Sequence, residues 1–382
     1  MLDRSGEISL IQRKIRFNPV TAILGPRQCG KTTLAKAVLP DHSFDLENPR
    51  DVVRLEQSQT VLESLNGLVM IDEIQRKPEL FPLLRYLVDQ TPDRRFLILG
   101  SASQELNQQS SESLAGRISF LPLAGFRLAD VGIIELWKHW MRGGYPRAFL
   151  ANDDMECQDW LENYIATFLE RDIPSFGIRV PATTIRRFWT MLAHVHGNIL
   201  NYSELGRSLQ VTDNAVRGYV DILEHTFMIR VLRPWFTNTS KRLVKNPKVY
   251  IRDSGILHQL LSIGAMAQLQ SHPKLGASWE GYALEECAKS IGLRSEQLYF
   301  WATHSGAEVD LFWTANGKNW AIEFKFEDAP RMTRSMHSAL VDLELERLWV
   351  VYPGKDVYPL HEKVQTLPIQ QVGVYWKYPE RI

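Results

Sequence analysis

GPRQCGKT, from Gly25 to Thr32, decides the fold of this 382-residue chain. It fits the pattern GxxxxGK[ST] in full. The residues before it, VTAIL (Val20–Leu24), form an apolar run of strand character, and those after it, TLAKAVL (Thr33–Leu39), read as helix. Strand, glycine loop, helix is the arrangement that gathers backbone N–H groups around a phosphate. Gly25, Pro26, Arg27, Gln28, Cys29, Gly30, Lys31, Thr32 and Thr33 are therefore the expected ATP-binding residues. Lys31 is expected to reach the β- and γ-phosphates, and the Thr32 hydroxyl to ligate Mg²⁺.

Working outward, GLVMIDE (Gly67–Glu73) is an apolar strand ending in two acids. At this distance after a phosphate loop, Asp72 is expected to hold Mg²⁺ and Glu73 to polarise the attacking water. A third strand, RFLILGS (Arg95–Ser101), ends in a small polar residue. Ser101 is read either as a residue that senses the γ-phosphate or orients water, or as an ordinary turn serine. A helical stretch then ends at SLAGR (Ser113–Arg117). Arg117 either acts on the nucleotide of a neighbouring copy, where a cation stabilises phosphoryl-transfer charge, or simply complements a helix dipole.

GPRQCGKT, LVMIDEIQ, LILGSAS, SLAGR and RGGYP together resemble the AAA+ type ATPases of bacteria and archaea that carry a C-terminal domain of unknown function; LERDI at 169–173 resembles that family's junction. The resemblance runs along the whole chain. It implies a five-stranded core with the sensor strand between the two phosphate-site strands, followed by a small helical lid. It also implies a homo-oligomer. Cys29 stands where such loops often carry Ser or Val, which leaves the backbone contacts intact. No sensor-2 arginine is assigned; Arg142 and Arg147 both flank Gly143–Pro146.

Past residue 180 the pattern changes. An amphipathic stretch at Ile185–Val195 is followed by YSELGRSL (Tyr202–Leu209), a short turn, and Asn214–His225. Helix, brief turn and longer helix, with Leu205, Leu209, Val216, Val220 and Leu223 inward, is a helix-turn-helix pattern. Phe227–Phe236 reads as its wing. Phe227 to Arg252 holds basic residues and no acidic ones, a local footprint suited to phosphates. Arg217, Arg230, Lys241, Arg242, Lys245 and Lys248 are the expected DNA contacts. The other reading is a winged helix used for protein contact. His194 and His196 have no acidic or cysteine partner and are read as packing or surface residues.

Further on come Glu280 on a helix, EVDLFW with Asp310, and AIEFK with Glu323 and Lys325. Asp, about a dozen residues, then Glu-x-Lys resembles the PD-(D/E)xK nuclease core. Side chains alternate along a strand, so Glu323 and Lys325 share a face. A hairpin would bring Asp310 beside them, and with Glu280 these carboxylates could bind a second Mg²⁺. The alternative is an inactive nuclease-like scaffold or a structural ion pair.

Lys+Arg and Asp+Glu both number 44, so a nucleic-acid surface has to be a local patch. The three cysteines form no metal-type pair and suit a reducing, cytoplasmic setting. No apolar run is long enough to span a membrane, and the first residues lack the apolar core of a signal peptide. The expected fold is α/β with a parallel P-loop core. The expected domains are an ATPase core (1–135), a helical lid (136–180), a winged helix (181–267) and a nuclease-like α/β domain (268–382). The expected activity is ATP hydrolysis put to work on DNA. The other reading is a nucleotide-dependent switch that binds protein partners.

Overall fold

Runs of apolar residues fold into two sheets in the computed structural model, which describes residues 4–101, 113–175, 180–236 and 243–375. The chain divides into one unit up to Phe126, with His225–Phe227, and a second made of Arg127–Glu224 and the residues from Met228 on.

The first unit is built on β1 (Val20–Gly25), β2 (His42–Asp45), β3 (Leu68–Asp72), β4 (Arg95–Ser101) and β5 (Ile118–Pro122). Their order is β2-β3-β4-β1-β5, and every pairing is parallel. The strand ending at Ser101 thus lies between the strands ending at Gly25 and Asp72, as the family resemblance implies. Parallel strands covered on both faces need unbroken apolar runs, and β1 is buried at every position. Val20, Leu24, Phe44, Ile71, Leu84, Phe96 and Ile98 belong to one buried cluster. Each such side chain contributes roughly 1.5–3 kcal/mol relative to leaving it in water. The helix Leu80–Gln90 shows how the cover is made: Leu80, Phe81, Leu84, Leu87 and Val88 form its buried stripe.

The second unit opens with helices, among them Leu136–Arg142, Asp154–Thr167 and Ala182–His194. Tyr202–Leu209 and Asp213–His225 follow, joined through Gln210 in left-handed conformation, with Leu205, Leu209, Val216, Val220 and Leu223 buried as their spacing predicts. The sheet of this unit contains β6 (Ile229–Pro234), β7 (Lys248–Ile251), β8 (Tyr299–Ala302), β9 (Glu308–Ala315), β10 (Lys318–Phe324), β11 (Leu345–Tyr352), β12 (Pro359–His361) and β13 (Val364–Pro368). Its order is β12-β13-β11-β10-β9-β8-β6-β7. Here the structure departs from the sequence expectation. The strand expected as a separate wing, β6, pairs in parallel with β8 through Arg233–Tyr299 and Pro234–Phe300. A boundary near 268 therefore falls between neighbouring strands of one sheet.

The helix Leu275–Ile291 packs into the core of this unit, with Trp279, Tyr282, Ala283, Leu284 and Cys287 buried. It also carries Glu285 and Glu286 inward, and both are partnered. Glu285 accepts from Arg230 (Nη2–Oε2 3.1 Å) and from Arg252 (Nε–Oε2 3.3 Å). Burial alone would raise the Glu285 pKa, but Arg230 and Arg252 outweigh it and hold it down to about 2.

Candidate functional site

The loop after β1 curls because two of its residues adopt left-handed backbone, Gln28 (φ 60°) and Gly30 (φ 97°). Gly25 is required for another reason: a Cβ there would lie 2.1 Å from the Leu123 carbonyl oxygen. Cys29 is buried behind the loop with Sγ 3.7 Å from that same oxygen, and burial raises its thiol pKa. Its role here is packing. Lys31 is also buried, and its ammonium donates to the carbonyl oxygens of Gly25 (2.9 Å) and Pro26 (2.8 Å), lying across the loop. Thr33 faces solvent.

The strand register completes the site. Gly25 of β1 lies beside Ser101 of β4, and β4 in turn pairs with β3, which ends at Asp72. The Thr32 hydroxyl donates to Asp72 Oδ2 at 2.7 Å, and the Glu73 backbone N–H donates to Asp72 Oδ1 at 2.9 Å. Glu73 sits in left-handed backbone (φ 54°). Burial raises its carboxyl pKa; Lys31 opposes that shift and Asp72 adds to it. Gln75 was not anticipated from sequence. Its amide nitrogen donates to Glu73 Oε2 and, at 2.9 Å, to Ser101 Oγ, joining the two strand ends.

These donors fit ATP with Mg²⁺. The curled backbone and the Lys31 ammonium suit phosphate oxygens. The Thr32 hydroxyl and Asp72 carboxylate, already in contact, are hard oxygen ligands, and Mg²⁺ commonly takes only one or two protein carboxylates besides water and phosphate. Among the described residues, no three His, Cys, Asp or Glu side chains are grouped to hold a metal.

Arg117 is elsewhere. It precedes β5, whose Ile118 pairs with Val20 at the start of β1, so it sits at the opposite end of the sheet from Gly25. Five residues of strand separate the two ends by about 17 Å. Its guanidinium makes a two-pronged pair with Asp89 (Nε–Oδ1 2.6 Å, Nη2–Oδ2 3.0 Å). Arg142 is engaged as well, donating to Asp154 Oδ1 at 2.9 Å.

In the second unit, Ile322 pairs with Leu311 across β9 and β10, which sets Glu323 opposite Asp310 on one sheet face. The Phe324 N–H donates to Asp310 Oδ2 at 2.9 Å, and Lys325 donates to Glu323 Oε1 at 2.8 Å. Burial, with Asp310 adding, raises the pKa of both Glu280 and Glu323. The other oxygen of Glu323, Oε2, is buried and has no hydrogen-bond partner among the described residues.

Lys248 stands among these acids, 3.2 Å from Glu280 Oε1 and 3.4 Å from Asp310 Oδ1, and also paired with Glu308. Tyr250 donates to Glu280 at 2.6 Å. Burial would lower the Lys248 pKa, but Tyr250, Glu280, Asp310 and Glu308 raise it well above the usual lysine value, so the residue stays charged.

This corrects the expected DNA face. Lys248 is 4% exposed and Arg230 6%, and each spends its charge on buried carboxylates. β7 is buried at every position and β6 at every position but Arg233, so both cations are enclosed, which a count of basic residues does not reveal. Arg217 and Lys245 are exposed, the former 4.0 Å above the Tyr202 ring. Lys241 and Arg242 lie outside the described residues. His196 is a core residue: its Nδ1 accepts from the Ile251 N–H at 2.9 Å.

Among known families, a model described as an AAA domain matches residues 17–131. Two models for domains of unknown function follow, DUF8612 at 133–267 and DUF4143 at 275–372. The uncharacterized proteins Mb2031c of Mycobacterium bovis and Rv2008c of Mycobacterium tuberculosis are each 46% identical over 376 residues, covering 97% of this chain and 85% of theirs. Among solved structures, the Walker-type ATPase PABY2304 of Pyrococcus abyssi matches 68% of this chain and 96% of its own, at 17% identity and a TM-score of 0.47. A DNA replication initiation factor matches 59% of this chain and 89% of its own, at 12% identity and a TM-score of 0.26. Among the described residues, no helix is long and apolar enough to cross a membrane.

Proposed function

Because the chain belongs to the family of these mycobacterial proteins and itself carries an AAA domain and a C-terminal DUF4143 domain, we propose that it hydrolyses ATP with Mg²⁺ and uses the turnover to act on DNA. One observation carries the hydrolysis: Lys31, the Thr32–Asp72 hydrogen bond and Glu73 meet at the ends of the parallel strands β1 and β3, which flank β4.

Lys31 would exchange the carbonyls of Gly25 and Pro26 for the β- and γ-phosphate oxygens. Thr32 and Asp72 would hold Mg²⁺, which when bound neutralises charge on those oxygens. Glu73 accepts the proton of the attacking water; its raised pKa makes it a better base than a solvated carboxylate. Ser101, beside Gly25, senses the γ-phosphate. Arg117 cannot reach its own phosphate loop, so a role in hydrolysis requires a neighbouring copy and release from Asp89. The test is ATP turnover and nucleotide binding in Lys31→Ala and Glu73→Gln. The first should lose binding, and the second should bind ATP and fail to turn it over. A Glu73→Gln protein that turns over at the wild-type rate rejects the assignment.

The DNA reading takes 136–180 as lid, 181–267 as a winged helix and 268–382 as a nuclease-like domain. It is supported by exposed Arg217 and Lys245 and by the shared face of Asp310, Glu323 and Lys325. Stimulation of turnover by single-stranded, duplex or branched DNA tests it. A specific observation favours the second reading, a nucleotide-dependent switch on an inactive scaffold. Lys248 already bridges Glu280, Glu308 and Asp310, where a nuclease would place its metal.

A further inference from the structure

The Gln75 amide is engaged on one side only. Its N–H groups are spent on Glu73 and Ser101. The Glu73 carboxylate only accepts hydrogen bonds, so the amide has to present its nitrogen to it, and this fixes where the oxygen points. That oxygen, Oε1, is buried and accepts from no group among the described residues. A buried acceptor held in place by its own amide, next to the base, is suited to a small molecule with a proton to donate.

We propose that Gln75 is a further catalytic residue that orients the attacking water. This rests on the ATPase reading above. The water gives one proton to Glu73 and directs the other to Gln75 Oε1. One of its two lone pairs then points at the γ-phosphorus. The water O–H bond to Glu73 breaks as the O–P bond forms, and the bond to the leaving oxygen breaks with its electron pair remaining on ADP. The two N–H contacts keep the base and the sensor in one fixed relation, so the water meets both acceptors at once. Misplacing a reacting group by about 1 Å costs about 10²-fold in rate, which sets the expected effect.

The experiment uses full-length protein and three variants: Gln75→Ala, Gln75→Met, which keeps the volume and loses the amide, and Lys31→Ala as a binding control. Turnover, affinity for methylanthraniloyl-labelled ATP, and retention of ADP with aluminium fluoride are measured. The expected result is kcat lower by about 10²-fold in both Gln75 variants, with labelled-ATP affinity near wild type and ADP–aluminium fluoride no longer retained. Wild-type trapping and turnover in Gln75→Met overturns the role while leaving the ATPase reading in place. Loss of labelled-ATP binding in both Gln75 variants also overturns it, because the residue would then be structural. A wild-type protein that binds and hydrolyses no better than Lys31→Ala overturns both readings together.

Discussion

Burial decides what single side chains can do here. All three cysteines are buried and free, and burial pushes the Cys157 thiol up to about 12 and raises Cys29 and Cys287 as well. Thiolate is the reactive form, so native protein should show no fast-reacting thiol toward a disulfide reagent, and three once denatured. A rapidly modified thiol in native protein would contradict this placement. The grouping of Lys31, Thr32, Asp72 and Glu73 was legible from sequence because the chemistry proposed for them fixes their spacing: a loop, a lysine and hydroxyl after it, acids at a strand end. Gln75 was not legible, since no rule ties an amide to a position after Asp-Glu. Nor was Asp89 as the partner of Arg117, because only the folded sheet brings them together.

At the scale of elements, the helix Leu275–Ile291 and the hairpin of β6 and β7 depend on each other through charge. Glu285→Gln removes the carboxylate that pairs with Arg230 and Arg252, and breaking a buried ion pair from one side costs about 3–5 kcal/mol. Equilibrium unfolding in denaturant measures this directly. The sign with pH follows from the depressed pKa. Above the ordinary carboxylate value of 4.5 the stabilisation is fully present, and it is lost as pH falls toward about 2. Acid unfolding of the wild type should therefore steepen below 4.5, and Glu285→Gln should remove that part of the slope. Exposed cations behave differently. Arg217→Glu with Lys245→Glu should leave the melting temperature nearly unchanged. If DNA binds there, the double substitution should weaken binding and flatten its salt dependence by about one for each phosphate no longer neutralised. Equal affinity and slope would put DNA elsewhere. Helices 202–209 and 213–225 were legible from their apolar spacing. The joining of β6 to β8 was not, because local pattern identifies a strand and says nothing about a neighbour far along the chain.

Over the whole molecule, one question is whether catalysis is shared between copies. Arg117 stands a full strand length from its own phosphate loop. If a neighbour uses it, turnover per subunit rises with protein concentration, and Arg117→Ala lowers kcat by ~10³-fold. Mixing Arg117→Ala with Lys31→Ala should then recover activity, since each supplies what the other lacks. Concentration-independent turnover without recovery would leave Arg117 as the tether of Asp89. The sheet running from β12 to β7 bears on how the protein can be taken apart. A piece cut at 268, where sequence suggests a natural seam, would leave β8 as an open rim of unsatisfied N–H and C=O groups. The same cut would strand Glu280 and Asp310 without the Lys248 ammonium. Such rims recruit one another. That piece should scatter light and pellet on expression, whereas one begun ahead of Ile229 should stay dispersed.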